Sequence, residues 1–249
     1  MLSLFRKKTS PETTPAHLDI IHDGVTYRIL LKRVPTARRF TLRIRNASRD
    51  VVLTMPKRSS LATAQDFAQK HAAWIGARLH RLPEAIPFRH GNVFPLRGEA
   101  VTVEHIDRLR GNVEFSTGEK ILRVSCSADH LSRRIHDFLK QEARKDLEYA
   151  VKAHCNSLGF APRKVTIRDT TSRWGSCSAS GALNFSWRLI MAPPFVLDYL
   201  AAHEVAHLVH MNHSNLFWSV TKRLAPRTEQ AEAWLYANGS SLHRYGAEV

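Results

Sequence analysis

Residues 203–213 read His-Glu-Val-Ala-His-Leu-Val-His-Met-Asn-His. His203 and His207 stand four apart with Glu204 directly after the first, the pattern H-E-x-x-H. On a helix, residues four apart share a face, so two imidazoles there can bind one zinc ion. Glu204 points about 100° away, which aims its carboxylate at a water on the metal rather than at the metal itself. An open zinc site lowers the pKa of that water toward ~7, and a neighbouring carboxylate can move its proton to a leaving group. The pattern predicts a metal-dependent hydrolase, with His203 and His207 as ligands and Glu204 as general base.

Chance gives roughly 0.04 such matches in a chain of this length and composition, and a further His ten residues after the first lowers that to roughly 0.002. That residue is His213. Its spacing follows the metzincin pattern H-E-x-x-H-x-x-G-x-x-H, except that His210 stands where the pattern has Gly. His210 is the rival third ligand. On a straight helix His203 and His210 would be separated by ~10.5 Å along the axis, too far to converge on one tetrahedral ion. His213 lies beyond Asn212, a residue type that ends helices in the left-handed conformation, so its segment can fold back to the metal. Geometry favours His213 and leaves His210 as a packing or orienting residue.

Pro193 and Pro194 suit the start of the metal-bearing helix. Val196, Leu197, Tyr199, Leu200 and Val205 make it apolar over most of its circumference, as in a core helix. A structural zinc site would be closed by four protein ligands, often Cys, and would have no use for Glu204. The site reads as catalytic.

The elements that must hold it can be read in outline. Residues 1–16 are polar with Pro11 and Pro15 and read as a disordered tail. A β-meander is expected over Leu18–Ile21, Thr26–Leu31, Phe40–Arg45 and Val51–Met55, with turns at Asp23-Gly24, Asn46–Ser48 and Pro56. One helix follows from about Leu61 to Leu82, capped by Ser59 or Ser60, with Phe67, His71, Trp74, Ile75 and Leu79 on one face and Pro83 as its stop. Short strands are expected near Val93–Leu96, Val101–His105, Val113–Phe115 and Ile121–Val124. A long helix from about Ala128 to Ser157 precedes Gly159. Then come a strand at Lys164–Arg168, a loop at Thr170–Gly181, a strand at Leu183–Met191, the metal helix, and short helices capped near Ser214 and starting near Thr228. No internal repeat or low-complexity tract is evident. The fold class is α+β: a tail (1–16), a basic β-rich region with one helix (17–125) and a zincin-like helical region (126–249).

At 249 residues with 43% hydrophobic content, the chain can bury a real core in one or two domains. No apolar run approaches the ~20 residues of a membrane span. The start lacks the layout of a secretory signal, and three Cys (Cys126, Cys155, Cys177) make a disulfide framework unlikely to be the organising principle, so a cytoplasmic location is expected. The net charge is +15 and the pI about 10.3. Such a balance points to an anionic partner, nucleic acid or nucleotide, or else to a merely solvated basic surface. Ten Lys or Arg residues and one acid, Asp50, lie between Arg28 and Arg58. Phe40, Leu42 and Ile44 alternate there with Thr41, Arg43 and Arg45, a half-buried strand whose arginines face water. That row can line a phosphate path or protect a sheet edge.

Arg173-Trp174-Gly175-Ser176-Cys177-Ser178, Leu183 to Leu189, Tyr199 to His207, Asn212-His213-Ser214 and Phe217-Trp218 together resemble the YgjP-like metallopeptidase family, a relative of the SprT-like zinc proteins. The resemblance is strongest over residues 164–224. It implies one zinc per chain held by His203, His207 and His213, with Glu204 as general base. It leaves the substrate open.

Arg173 is a candidate catalytic residue, stabilising an oxyanion or holding a substrate carboxylate or phosphate, or else a structural ion pair. Trp174, Trp187 and Trp218 read as packing residues, and Cys177 as packed rather than ligating. Gly175 is expected to permit a tight turn, and Arg188 can face the site or solvent. The first functional expectation is a peptidase in which the Leu183–Met191 strand adds the substrate main chain to its edge. The alternatives are a nucleotide phosphoanhydride hydrolase and a nucleic-acid-associated protease or binding protein of the SprT-like kind.

Overall fold

The computed structural model describes residues 16–45, 49–82, 84–108 and 111–246. The tail expected over 1–16 (all but its last residue), the turn at Asn46–Ser48 and the stop at Pro83 lie outside the described residues. The chain is α+β and forms two compact units that divide after Leu82.

In the first unit β1 (His17–His22), β2 (Val25–Val34), β3 (Thr41–Ile44) and β4 (Val51–Pro56) form one sheet in the order β1-β2-β4-β3. The expected meander is not formed. β4 pairs in parallel with β2, and β3 returns antiparallel along its far side. The cause is visible in β4 itself: Val51, Val52, Leu53 and Met55 are all buried, an apolar run that belongs in a sheet interior. The short β3, with exposed Arg43, serves as the edge.

The single helix expected over 61–82 is two, α1 (Leu61–Lys70) and α2 (Ala72–Arg81). His71 leaves helical geometry at φ −104°, ψ 8°, and its Nδ1 lies 2.8 Å from Phe67 O. Ser60 caps α1, its Oγ accepting from Thr63 N at 3.1 Å. Ala64, Ala68, Ala72 and Ile75 pack against Ile20, Ile29, Val51, Leu53 and Met55. Trp74, expected on the packed face, is 48% exposed.

In the second unit β5 (Val93–Leu96), β6 (Glu99–Asp107), β7 (Val113–Ser116) and β8 (Ile121–Cys126) form a sheet ordered β5-β6-β8-β7. The long helix α3 (Leu131–Leu158) follows, about 42 Å of it at 1.5 Å per residue. Gly159, at φ 72°, ends it in the left-handed cap that its sequence position suggests. This sheet shares its core with the C-terminal helices, so β5, β6 and β8 pack with the helical region and not as part of a single N-terminal β region.

The two sheets repeat one design, which the sequence did not reveal. Each has a first hairpin, a parallel pairing of its second and fourth strands, an antiparallel third strand and then a helix. The registers agree pair by pair: Ile20↔Tyr27, Ile29↔Val51 and Arg43↔Val52 correspond to Phe94↔Val101, Val103↔Leu122 and Glu114↔Arg123. The positive-φ residues also correspond. Asp23-Gly24 matches Arg97-Gly98 in the first hairpin, and Arg49 matches Lys120 before the fourth strand. Buried Val51, Leu53, Met55, Ala64, Ala68 and Ala72 correspond to Leu122, Val124, Cys126, Ile135, Leu139 and Ala143. A repeat carried by register and turn geometry leaves apolar residues free to exchange for one another, so residue identity fades first.

The second copy's hairpin turn has a further task. Arg97 N and Gly98 N donate to Ile190 O and Met191 O at 2.7 and 3.1 Å. The Arg97 guanidinium bridges Asp146 and Glu142 of α3. A side chain on Gly98 would come within 3.0 Å of Pro193 Cγ. The turn therefore fixes the segment that leads into the helix starting at Pro194.

The last sheet is small. β9 (Lys164–Arg168), β10 (Gly175–Cys177) and β11 (Ala182–Ser186) are ordered β10-β11-β9. The strand expected at Leu183–Met191 stops at Ser186, and residues 187–191 form a 3₁₀ turn. Then follow α4 (Pro194–Ala206), α5 (Asn215–Leu224) and α6 (Thr228–Asn238), closed by a 3₁₀ segment at Gly239–Arg244. Among the described residues no helix is long and apolar enough to cross a membrane.

Candidate metal centre

α4 starts at Pro194 and is buried almost all round, with Val196, Ala201, Ala202, Val205 and Ala206 fully inaccessible. It carries His203 and Glu204 and ends at His207. The chain then turns through residues 207–209, where Leu208, Val209 and His210 donate back to Val205 O and Ala206 O. The helix ends earlier than expected, and Asn212 is not left-handed. Ser214 caps α5, its Oγ accepting from Phe217 N at 3.4 Å, and so anchors the residue after His213.

One nitrogen from each of His203, His207 and His213 lies within 4.8 Å of the others. Nε2 of His203 and Nε2 of His213 are 3.2 Å apart. Bonds of 2.0–2.1 Å to a tetrahedral zinc place two ligand nitrogens about 3.3 Å apart, so this donor set fits that ion. The outward nitrogens are also engaged. His207 Nδ1 lies 3.0 Å from His210 O, to which it donates. His203 Nδ1 lies 3.4 Å from the Tyr199 hydroxyl, which itself donates to Glu232 Oε1 at 3.0 Å. With both Nδ1 atoms protonated, the Nε2 lone pairs are left for a metal. His210 thus takes part through its carbonyl, and its side chain is not in the cluster.

Phe217, fully buried, is the floor of the cluster. Its ring stacks on His207 at 4.5 Å and meets His203 and His213 edge-on at 4.9 and 4.8 Å. Trp218, expected in the core, is only partly buried and stacks on His213. Burial, then repulsion from the other two histidines, pushes His203 down to about 4. His207 is lowered chiefly by burial as well. Both rings are therefore neutral near pH 7, the form that ligates metal.

Glu204 is 4% exposed, and its Oε2 has no hydrogen-bond partner among the described residues. Burial pushes its carboxyl up to about 7, and Arg173 opposes that shift. A buried, unpartnered carboxylate is costly unless something in the cleft uses it. The cleft has a volume of about 530 Å³, and its lining includes Arg173, Gly175, Ser176, Cys177 and Met211 beside the histidines and Glu204. Arg173 is exposed there. Cys177 lies in the wall but outside the histidine cluster, its thiol raised by burial and then by Glu204.

Two expectations change. Gly175 does not serve a turn, since it sits in β10 without a positive φ. A Cβ there would stand 2.7 Å from Glu204 Cγ. Its role is to leave room for the glutamate. Gly175→Ala is expected to lower kcat/KM for any hydrolysis that uses Glu204 about 100-fold by displacing that carboxyl, while the histidine cluster keeps its capacity to take up zinc. Unaltered kinetics would show that the close approach is not needed. Arg188 does not reach the cleft. It is 3% exposed and grips Asp169 through two bonds of 2.8 and 3.2 Å.

Tyr199 and Glu232 escaped the sequence reading. Tyr199 stands four residues before His203 on the same helix face, the one signal that was available, but Glu232 comes from a helix far along the chain.

An H-E-x-x-H helix, a third histidine folded back to it and an edge strand beside them define a chain of the metallopeptidase type. This chain belongs to the YgjP-like metallopeptidase family, whose domain matches residues 38–238. One solved structure that it resembles is the metallopeptidase zymogen abylysin of Pyrococcus abyssi. The identity is 22%, over 36% of this chain and 92% of that one, with a TM-score of 0.34. No curated protein shows significant similarity.

Proposed function

We propose that this chain is a zinc-dependent peptidase with one zinc held by His203, His207 and His213. The observation that carries the reading is the meeting of three imidazole donors with the Glu204 carboxylate, whose Oε2 has no hydrogen-bond partner among the described residues, in one open cleft. When bound, zinc supplies Lewis acidity, which acidifies water and polarises a carbonyl.

Glu204 is placed to take a proton from water and to deliver it to the amine that leaves when the peptide C–N bond breaks. Arg173, exposed in the cleft wall, is placed to pair with the negative charge that develops on the scissile carbonyl oxygen. Substrate main chain was expected along residues 183–191, but β11 is flanked by β9 and β10 and has no free edge. β10 and β9 are the edge strands, and it is β10 whose Gly175, Ser176 and Cys177 line the cleft. We assign main-chain addition to β10. Met211, 55% exposed at the rim, offers an apolar contact for a substrate side chain.

Arg173 is the sole Lys or Arg among the described residues lining the cleft, which favours a peptide over a nucleoside triphosphate. The deciding experiment incubates zinc-loaded protein with a disordered polypeptide and, separately, with nucleoside triphosphates. Chelator-sensitive peptide products are expected. Phosphate or pyrophosphate release without peptide products would replace this reading with phosphoanhydride hydrolysis.

A further inference from the structure

We propose that the face of the N-terminal sheet turned away from α1 and α2 binds a nucleic-acid strand through its phosphates. The charge of the chain is concentrated in this unit. Residues 16–82 hold 13 Lys and Arg against 4 Asp and Glu, whereas residues 83–249 hold 21 against 17.

Strand alternation sorts those cations. Ile29, Val51, Leu53 and Met55 turn to the helices. Arg28, Leu30, Lys32, Arg43 and Val52 therefore fall on the opposite face. Arg28, Lys32 and Arg43 are exposed. Arg28 is partly engaged by Asp19 at 3.2 Å, but Lys32 and Arg43 have no ion-pair partner among the described residues. Exposed Arg38 and Arg39 extend the field in the link from β2 to β3. Arg33 and Arg49 are excluded, because they hold backbone carbonyls: Lys57 O and Ser59 O for the first, Leu79 O and Leu82 O for the second.

The repeated sheet is an internal control. In register, the row Leu30–Val52–Arg43 corresponds to Glu104–Arg123–Glu114, and Arg28 and Lys32 correspond to Thr102 and Ile106. The second copy thus neutralises its own face, with Arg123 paired to Glu104 and Glu119 at 2.8 Å each. The scaffold forms equally well with that face near neutral, so folding does not require the cations of the first copy. They are also mostly arginine, eight of the ten basic residues between Arg28 and Arg58, and the guanidinium fork matches phosphate oxygens. Among the described residues this face carries no Phe, Tyr or Trp on which bases could stack, so contact with the phosphate backbone is what its cations fit.

The test uses the full chain and a labelled single strand of about 20 nucleotides, read by fluorescence anisotropy from about 50 to 300 mM salt. Binding that weakens steeply with salt is expected. Lys32→Glu with Arg43→Glu should weaken it at least about tenfold and flatten the log–log salt slope by about 1.4. Arg133→Glu with Arg144→Glu, on exposed positions of α3, makes the same charge change elsewhere and should weaken it less than about threefold. Lys32→Gln with Arg43→Gln replaces the first pair if its melting temperature falls. Three results would overturn the proposal: no binding at the lowest salt, equal loss in both charge-matched pairs, or competition by polyglutamate as strong as by unlabelled oligonucleotide. The last would make the partner an acidic polypeptide.

Discussion

Glu204→Gln is expected to lower kcat/KM for peptide hydrolysis by about 10³-fold while zinc content and melting temperature stay at their wild-type values. Glu204 follows His203 on α4 and turns its carboxyl into the cleft, where Oε2 meets no donor among the described residues. Gln has nearly the same shape and fills the space beside Gly175, so packing is preserved and only the ability to accept a proton is lost. A uniform rise in KM with kcat intact would instead make Glu204 a binding residue. A fall of less than about tenfold in both would remove it from the role of general base. Peptide products are to be quantified by mass spectrometry on metal-loaded protein.

The second large effect concerns stability and lies outside the cleft. Arg188→Met is expected to cost about 3 kcal/mol, roughly a 10 °C fall in melting temperature. Arg188 sits on the 3₁₀ turn between β11 and α4. Its guanidinium binds Asp169 bidentately and donates to Leu242 O and Tyr245 O at 3.0 and 2.9 Å, while lying 4.5 Å over the Trp187 ring. It therefore ties the entry to α4 to the C-terminal 3₁₀ segment. Burial would raise the Asp169 carboxyl, but the Arg188 guanidinium outweighs it and holds that carboxyl below its usual value. Methionine keeps the apolar stem, strands the Leu242 and Tyr245 carbonyls and leaves the half-exposed Asp169 carboxylate without its cation. Arg168→Met, on the exposed end of β9, should change stability by no more than about 0.5 kcal/mol. Equal melting temperatures for the two variants, measured by circular dichroism, would contradict this account of Arg188.

What the sequence made legible was local. His203, His207 and His213 are drawn together as their spacing suggested, because an i,i+4 pair on a helix and a capped turn ten residues later are short-range devices. Ser60, Ser214 and Gly159 act as caps for the same reason. What failed was long-range. The parallel pairing of β2 with β4 depends on which strand takes an interior position in the sheet, and alternation within one strand does not state that. β10 was hidden in a Gly/Ser loop because three residues carry no periodicity. Gly175 was read as a turn residue because its purpose is a contact with Glu204, 29 residues away in the chain. The break at His71 was invisible to a helical pattern that continues through it.

The duplication adds a constraint on how the parts are used. The second copy spends its hairpin turn on residues 190–191 and its helix on the main core. In the first copy the equivalent Gly24 has nothing within 4 Å of where a side chain would begin. One copy supports the metal centre, and the other keeps its turn and its charged face uncommitted within its own unit.

The central claim is that three particular histidines hold one metal. The most direct measurement is the metal content of purified wild type, His203→Ala, His210→Ala and His213→Ala by inductively coupled plasma mass spectrometry. One zinc per chain is expected in wild type and in His210→Ala, whose backbone carbonyl still receives His207 Nδ1, and loss in the other two. Wild-type protein that takes up no metal even when zinc is supplied, or a site lost in His210→Ala but kept in His213→Ala, would contradict the claim.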